Sequence, residues 1–205
     1  MRIRGYKIIA PFYEHLRNFF FPAIKKYQSE FHKLKPQLID RIVIVGGGSG
    51  DILKPVLKKF SKSTVYFVEP STSMMERAQE RFGTSRRVFF IQESIENAVV
   101  EDADLVLLPF VVDILEEQQL IPVAKKTREL LKNKGFVLFS DFLKPRTFSA
   151  RLKLSVLYML FMPIRGKFQT SLPDYDDFFK TAGLRKVTEK QSQSGLFVSE
   201  LYQKV

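Results

Sequence analysis

The stretch Ile42-Val43-Ile44-Val45-Gly46-Gly47-Gly48-Ser49-Gly50-Asp51 decides how this chain is read. Four β-branched residues in succession favour an extended strand. The glycines that follow let the backbone turn tightly and let a ligand approach with no Cβ in the way. Residues 51–60 then place Leu53, Val56, Leu57 and Phe60 at helical spacing. A helix that starts on such a turn offers open amides to a polar or anionic group. Glycines at 46, 48 and 50 spell G-x-G-x-G. The dinucleotide fingerprint G-x-G-x-x-G would need a small residue at 51, where this chain has Asp51. An acid beside a pyrophosphate is repulsive, so the spacing favours a ligand without phosphates over NAD or FAD.

Outward from this loop, two textures alternate. Thr64 to Val68, Arg87 to Gln92, Ala103 to Leu108 and Phe136 to Ser140 are apolar and strand-like. Between them, Ser71 to Phe82 and Leu115 to Leu131 read as helices, the second closed by Asn133-Lys134-Gly135. Strands apolar throughout and separated by helices imply a doubly wound α/β sheet, mostly parallel and covered on both faces. The tail changes rhythm. Pro145 to Met162 reads as helical, Asp174 to Thr181 as a short helix, and Leu184 to Gln191 with Leu196 to Lys204 as a closing β-hairpin. The expected layout is one domain: an N-terminal helical cap (1–41), a ligand-binding core (42–141), a helical lid insert (142–183) and the hairpin (184–205).

Glu69 ends the second strand, 19 residues beyond Gly50. In a doubly wound sheet that puts a carboxylate beside the glycine loop, where it can accept two hydrogen bonds from a ribose diol. The alternative is a surface acid favouring the dipole of the next helix.

The chain has 205 residues, 33 Lys plus Arg against 22 Asp plus Glu, and a formal charge of +11. The excess lies at the ends: residues 1–41 and 142–205 each carry a net +6, and the central hundred residues a net −1. Basic flanks suit nucleic acid, an anionic lipid surface or an anionic small molecule, or simply solvate peripheral helices. There is no Cys, so disulfides, thiolate metal sites and Cys nucleophiles are excluded; two His make a His-rich metal site unexpected. No apolar run follows the basic start to make a signal peptide, and no stretch reaches the roughly 18 charge-free apolar residues of a membrane span. A cytoplasmic protein, in solution or peripherally at a membrane, is expected.

The run from Ile42 to Asp141 resembles the class I S-adenosylmethionine-dependent methyltransferases. The similarity lies in Val45 to Gly50, in Val68-Glu69-Pro70-Ser71 with Met74, in Phe90-Ile91-Gln92-Glu93-Ser94, in Ala103-Asp104-Leu105-Val106, and in Leu130 to Leu138, in that order. Asp176 to Leu184 is similar to the family's usual helix before the hairpin. The start, Tyr6 to Tyr13, is similar to members that methylate quinones and other small molecules. The resemblance implies a seven-stranded sheet with an antiparallel last strand and S-adenosylmethionine as cofactor. It implies that Gly46, Gly48 and Gly50 pass under the methionine part and that Glu69 holds the ribose hydroxyls. Pro70 and Met74 would pack near the adenine, Ser94 would bond its amine, and Ile95 would lie on the ring. Pro109 and Phe110 would lie near the sulfonium and its methyl. This chain departs from the pattern twice: Ile44 and Ser94 stand where the family often has acids, and both departures reduce hydrogen bonding to the cofactor.

Methyl transfer is an in-line displacement, so much of the protein's task is to hold the nucleophile close and aligned. A general base is needed mainly when a proton must leave early. The candidates are Asp113, five residues past the fourth strand, Asp141 at the end of the fifth, and Tyr13, which would close over the cofactor; a cap, a surface acid and a packed aromatic are the alternatives. No Asn-Pro-Pro-Tyr sequence follows strand four; Leu108-Pro109-Phe110-Val111-Val112 is apolar instead. That favours a small hydrophobic or anionic acceptor, quinone- or lipid-like, over an exocyclic base amine. The apolar run Leu154 to Met162, flanked by Arg and Lys, is expected with residues 12–34 to form a substrate lid, to be buried core, or to contact an anionic membrane surface. Two other functions remain open: a nucleic-acid methyltransferase using the basic and aromatic residues of 12–35, and a non-catalytic binding protein of the same fold.

Overall fold

A computed structural model describes residues 31, 34–145, 147–148, 151–152, 154–156, 172–192 and 195–205. Seven strands form one sheet: β1 (Arg41–Val45), β2 (Thr64–Val68), β3 (Val88–Ile91), β4 (Ala103–Pro109), β5 (Leu131–Phe142), β6 (Leu184–Gln191) and β7 (Phe197–Lys204). Their spatial order is β3-β2-β1-β4-β5-β7-β6. The first five strands pair in parallel, and β7 runs against both its neighbours. Helices α1 (Leu53–Lys59), α2 (Thr72–Phe82), α3 (Glu117–Glu129) and α4 (Tyr175–Thr181) connect and cover the strands. The expected α/β sheet with an antiparallel last strand is what the chain forms.

The central strands are apolar on both sides because both faces are covered. One core gathers Val43, Val45, Val106, Leu108, Val137 and Phe139 with Val123 of α3 and Phe178 and Phe179 of α4. The opposite core gathers Ile42, Ile44, Phe67 and Leu105 with Leu53, Val56 and Phe60. Phe31 and Leu34 are buried in that second core, and the Phe31 ring meets Phe60 edge-on with centroids 5.6 Å apart. The end of the segment expected to cap the domain therefore packs as core.

Strand β5 departs from expectation. The sequence places a helix stop at Asn133-Lys134-Gly135 and a strand from Phe136. Instead α3 ends at Glu129, and Leu131 already pairs with Ala103. The supposed stop is a kink inside the strand: Lys134 takes the left-handed conformation, with φ at 63°. Gly135 is demanded by crowding, since a Cβ there would sit 2.9 Å from the Lys132 carbonyl oxygen and 3.2 Å from that of Ala103. Leu130 and Leu131 are both buried, and an apolar pair reads the same at a helix end as at a strand entry.

The topology lines up the ends of β1, β2, β4 and β5 along one edge. Ligands of open α/β sheets bind outside the carboxyl ends of the strands, where the strand order reverses. Here the reversal falls between β1 and β4, so the glycine loop and the segment after β4 stand side by side.

Candidate active site

The four glycines of the turn do different work. Gly46, Gly48 and Gly50 all have positive φ, between 60° and 85°. A Cβ on Gly46 would lie 2.7 Å from Cγ2 of Val111, so this glycine lets the segment after β4 close against the loop. A Cβ on Gly50 would meet Ala78, Leu53 and Phe82 at 3.2–3.3 Å, so Gly50 brings α1 and α2 together. Gly48 alone of the three has open space where its Cβ would stand. Gly47 is a residue the G-x-G spacing missed. Its φ is negative, but a Cβ would fall 2.1 Å from the Phe67 ring. Only the packed sheet shows why it must be glycine.

Glu69 closes the other side of this loop. Its Oε2 accepts the Gly48 N–H at 2.9 Å, and its Oε1 accepts the Ser71 N–H at 2.9 Å. The side chain is buried, and burial pushes its carboxyl pKa up despite those two amide donors. Each oxygen of a carboxylate accepts more than one hydrogen bond. One amide on each leaves both oxygens able to take a hydroxyl from a diol. Asp51, by contrast, is turned to Arg81: Oδ1 lies 2.8 Å from the guanidinium, which also donates to the Ser49 carbonyl. Its charge is balanced within the protein, which removes the local repulsion that the sequence reading set against a phosphate.

At the β4–β5 side a second carboxylate organises the backbone. Asp141 Oδ2 accepts the N–H groups of Val112 and Asp113, each at 3.1 Å, and Oδ1 accepts its neighbour Phe142 N–H at 2.8 Å. Asp113 hydrogen-bonds Asp141 side chain to side chain. Both acids are buried. Burial first, and then the like charge of Asp113, hold the Asp141 carboxyl well above the usual carboxylate range. Phe110 enters this segment with φ at 57°, a conformation that costs a non-glycine residue about 1–2 kcal/mol. It is held there by its N–H bond to the Ser140 carbonyl, 2.7 Å, and by edge-on contacts with Phe142 and Phe197 at 5.1 and 5.8 Å.

The remaining sequence candidates sort by place. Pro70 is half-buried behind Glu69, and Met74 is buried on the first turn of α2. Ser94 opens the turn after β3, where its carbonyl accepts the amides of Asn97 and Ala98; Ile95 beside it is buried. Pro109 ends β4. Ile44, standing where the resemblance expects an acid, is fully buried in the α1-side core. Tyr13 and most of the expected lid lie outside the described residues. Of the insert, 151–152 and 154–156 are helical, with Leu154 buried but Leu152 and Phe148 exposed.

Comparison with known proteins bears on the ligand of this crevice. A protein-family model described as a methyltransferase domain matches residues 43–137. Residues 43–137 thus carry a likeness to methyltransferases, in line with the motifs of the sequence. Malonyl-[acyl-carrier protein] O-methyltransferase 1 of Ilyobacter polytropus is 31% identical over 117 residues, which are 57% of this chain and 43% of that relative. The chain thus spans less than half the length of that curated relative. Among solved structures, TnmH superposes with a TM-score of 0.72 at 19% identity, covering 93% of this chain and 57% of that one. Human N-acetylserotonin methyltransferase, in a complex with S-adenosylmethionine, superposes with a TM-score of 0.68 at 16% identity, covering 97% and 57%. At these identities the two structures share the fold.

Human N-acetylserotonin methyltransferase holds S-adenosylmethionine within a shared fold, so that ligand is the one to test against the residues here. The residues fit it. The empty Cβ position of Gly48 is a cradle that a side chain would fill, and Glu69 keeps acceptor capacity beside it for a diol. No helix among the described residues is long and apolar enough to cross a membrane.

Proposed function

We propose that this protein transfers the methyl group of S-adenosylmethionine to a small hydrophobic or anionic acceptor, quinone- or lipid-like in character. The observation that carries this reading is the pairing of Gly48 with Glu69: an open glycine whose amide is fixed by a buried carboxylate at the carboxyl edge of the sheet. In this reading Glu69 receives the ribose hydroxyls, and Gly46, Gly48 and Gly50 shape the floor under the methionine part. Pro70, Met74, Ser94 and Ile95 border the adenine, and Pro109 with Phe110 face the reacting methyl.

The cofactor, when bound, supplies an electrophilic methyl on a sulfonium. The protein's own task is alignment of the acceptor and exclusion of water. Apolar Pro109, Phe110 and Val111 suit an acceptor with little polar surface there. Asp113 and Asp141 are the acids on the acceptor side, and Tyr13 is the candidate closing group. An anionic acceptor is in keeping with the basic flanks and with the name of the Ilyobacter relative, an O-methyltransferase of a malonyl group on a carrier protein.

Calorimetry with S-adenosylmethionine and with S-adenosylhomocysteine tests the first half, with saturable heat as the expected result. A screen of quinones, phenols and carboxylic acids, read by mass spectrometry for a methylated product, tests the second. Absence of heat and of any thermal shift at saturating cofactor would remove the reading.

A further inference from the structure

The segment after β4 is pinned more firmly than a connecting turn requires. Phe110 N–H donates to the Ser140 carbonyl, and the amides of Val112 and Asp113 converge on one oxygen of Asp141. Between these fixed points Val111 presses its Cγ2 to the place where Gly46 has no Cβ. A shift of the segment would therefore be felt directly in the glycine loop. Two buried carboxyl groups bonded to each other must share a proton, because two ionised ones at that range repel. Among the described residues, β7 sets Val198 opposite Asp141, and α4 brings Tyr175, whose hydroxyl donates to the Phe142 carbonyl. The charged group acting on Asp141 is Asp113 itself.

We propose that Asp141 is a positioning residue: bonded to Asp113 and to the amides of 112 and 113, it fixes residues 110–113 as the wall between the cofactor cradle and the acceptor. The proposal rests on the methyltransferase reading and adds a part for a carboxylate that its backbone donors occupy. Asp113 supplies the second half of the device. One proton lies between the two carboxyl groups and stays there through the reaction. Its loss leaves two like charges in contact, and the wall loosens.

The test uses the full chain and S-adenosylhomocysteine as probe. Hydrogen exchange of the peptide spanning 110–115 and calorimetric affinity are followed in wild type, Asp141→Ala, Asp141→Asn and Asp113→Asn. Asp141→Ala should speed exchange in that peptide and weaken the probe by about tenfold. Asp141→Asn keeps an acceptor oxygen and gives Asp113 a donor, so it should restore most of both. Wild-type affinity should fall towards alkaline pH, and Asp113→Asn should flatten that fall. Unchanged exchange in both Asp141 variants, or a wild-type pH profile in Asp113→Asn, would overturn the proposal. Should Asp141→Ala not fold, the two Asn variants still decide. Failure of the wild type to bind the probe at all would instead strike the methyltransferase reading.

Discussion

Two buried carboxylates stand at the carboxyl edge of the sheet, Glu69 ending the β2 side and Asp141 ending the β5 side. Glu69 takes one backbone amide on each oxygen, whereas Asp141 takes three amides and a second acid. The first is oriented but not saturated, as a ligand-binding carboxylate should be. The second is used up by the chain itself. Burial alone does not mark a binding group; what separates the two is the acceptor capacity left after the backbone has been served.

The sharpest way to break this contrast is at Glu69. Two hydrogen bonds to a charged acceptor are worth about 1.5–3 kcal/mol each, so Glu69→Ala should weaken S-adenosylhomocysteine by a hundredfold or more in calorimetry. Glu69→Gln, which keeps one acceptor oxygen, should lose about tenfold. Equal affinity for all three proteins would place the ribose elsewhere.

Next in size is a comparison within the glycine loop. Gly47→Ala drives a methyl into the Phe67 ring and should cost about 1–3 kcal/mol of stability, read as a drop in melting temperature of about 2–4 °C per kcal/mol. Gly48→Ala meets no neighbour but sits at positive φ; it should cost about 1–2 kcal/mol and, in addition, fill the cradle and depress cofactor affinity. If Gly47→Ala harmed binding more than folding, the division between packing glycine and ligand glycine would fail.

A smaller effect is expected from pH. Burial raises the Glu69 carboxyl above its ordinary 4.5. A raised folded value means that the native state holds its proton longer than the unfolded chain does. Stability should therefore decline as pH rises from the unfolded value through the folded one, then level off. Glu69→Gln removes this slope, and thermal melts across acid to neutral pH measure it. Affinity should move the other way, since hydroxyl donors prefer the ionised carboxylate. The smallest effect belongs to Asp51→Ala. Its partly exposed pair with Arg81 contributes at most about 1 kcal/mol, and cofactor affinity should stay within about twofold.

The fold was legible because its signals repeat. Each parallel strand is an unbroken apolar run, and the hairpin is marked by polar residues around Gly195. The Gly46–Gly50 turn and Glu69 could be paired because strand order fixes where they meet. What resisted reading depends on contacts distant in the chain. Gly47 is set by Phe67, Gly46 by Val111, and Gly135 inside β5 by the Ala103 carbonyl. Asp113 and Asp141 were visible as acids near the right edge, but their mutual bond and the amides converging on Asp141 appear only once β4 and β5 are side by side. Asp51 shows the opposite error: its sign was right, but its charge is spent on Arg81 thirty residues away.

The reversed strand β7 has a consequence for how such a protein diversifies. Because it runs against β5, its first residue, Phe197, arrives opposite Phe142 at the edge where β5 finishes. The turn leading into it is anchored locally, with Ser192 Oγ receiving the amides of Leu196 and Phe197 at 3.0 Å each. Drift in the length of that turn would remodel the rim next to Phe110 while leaving the Glu69 side of the crevice, four strands away at β2, untouched.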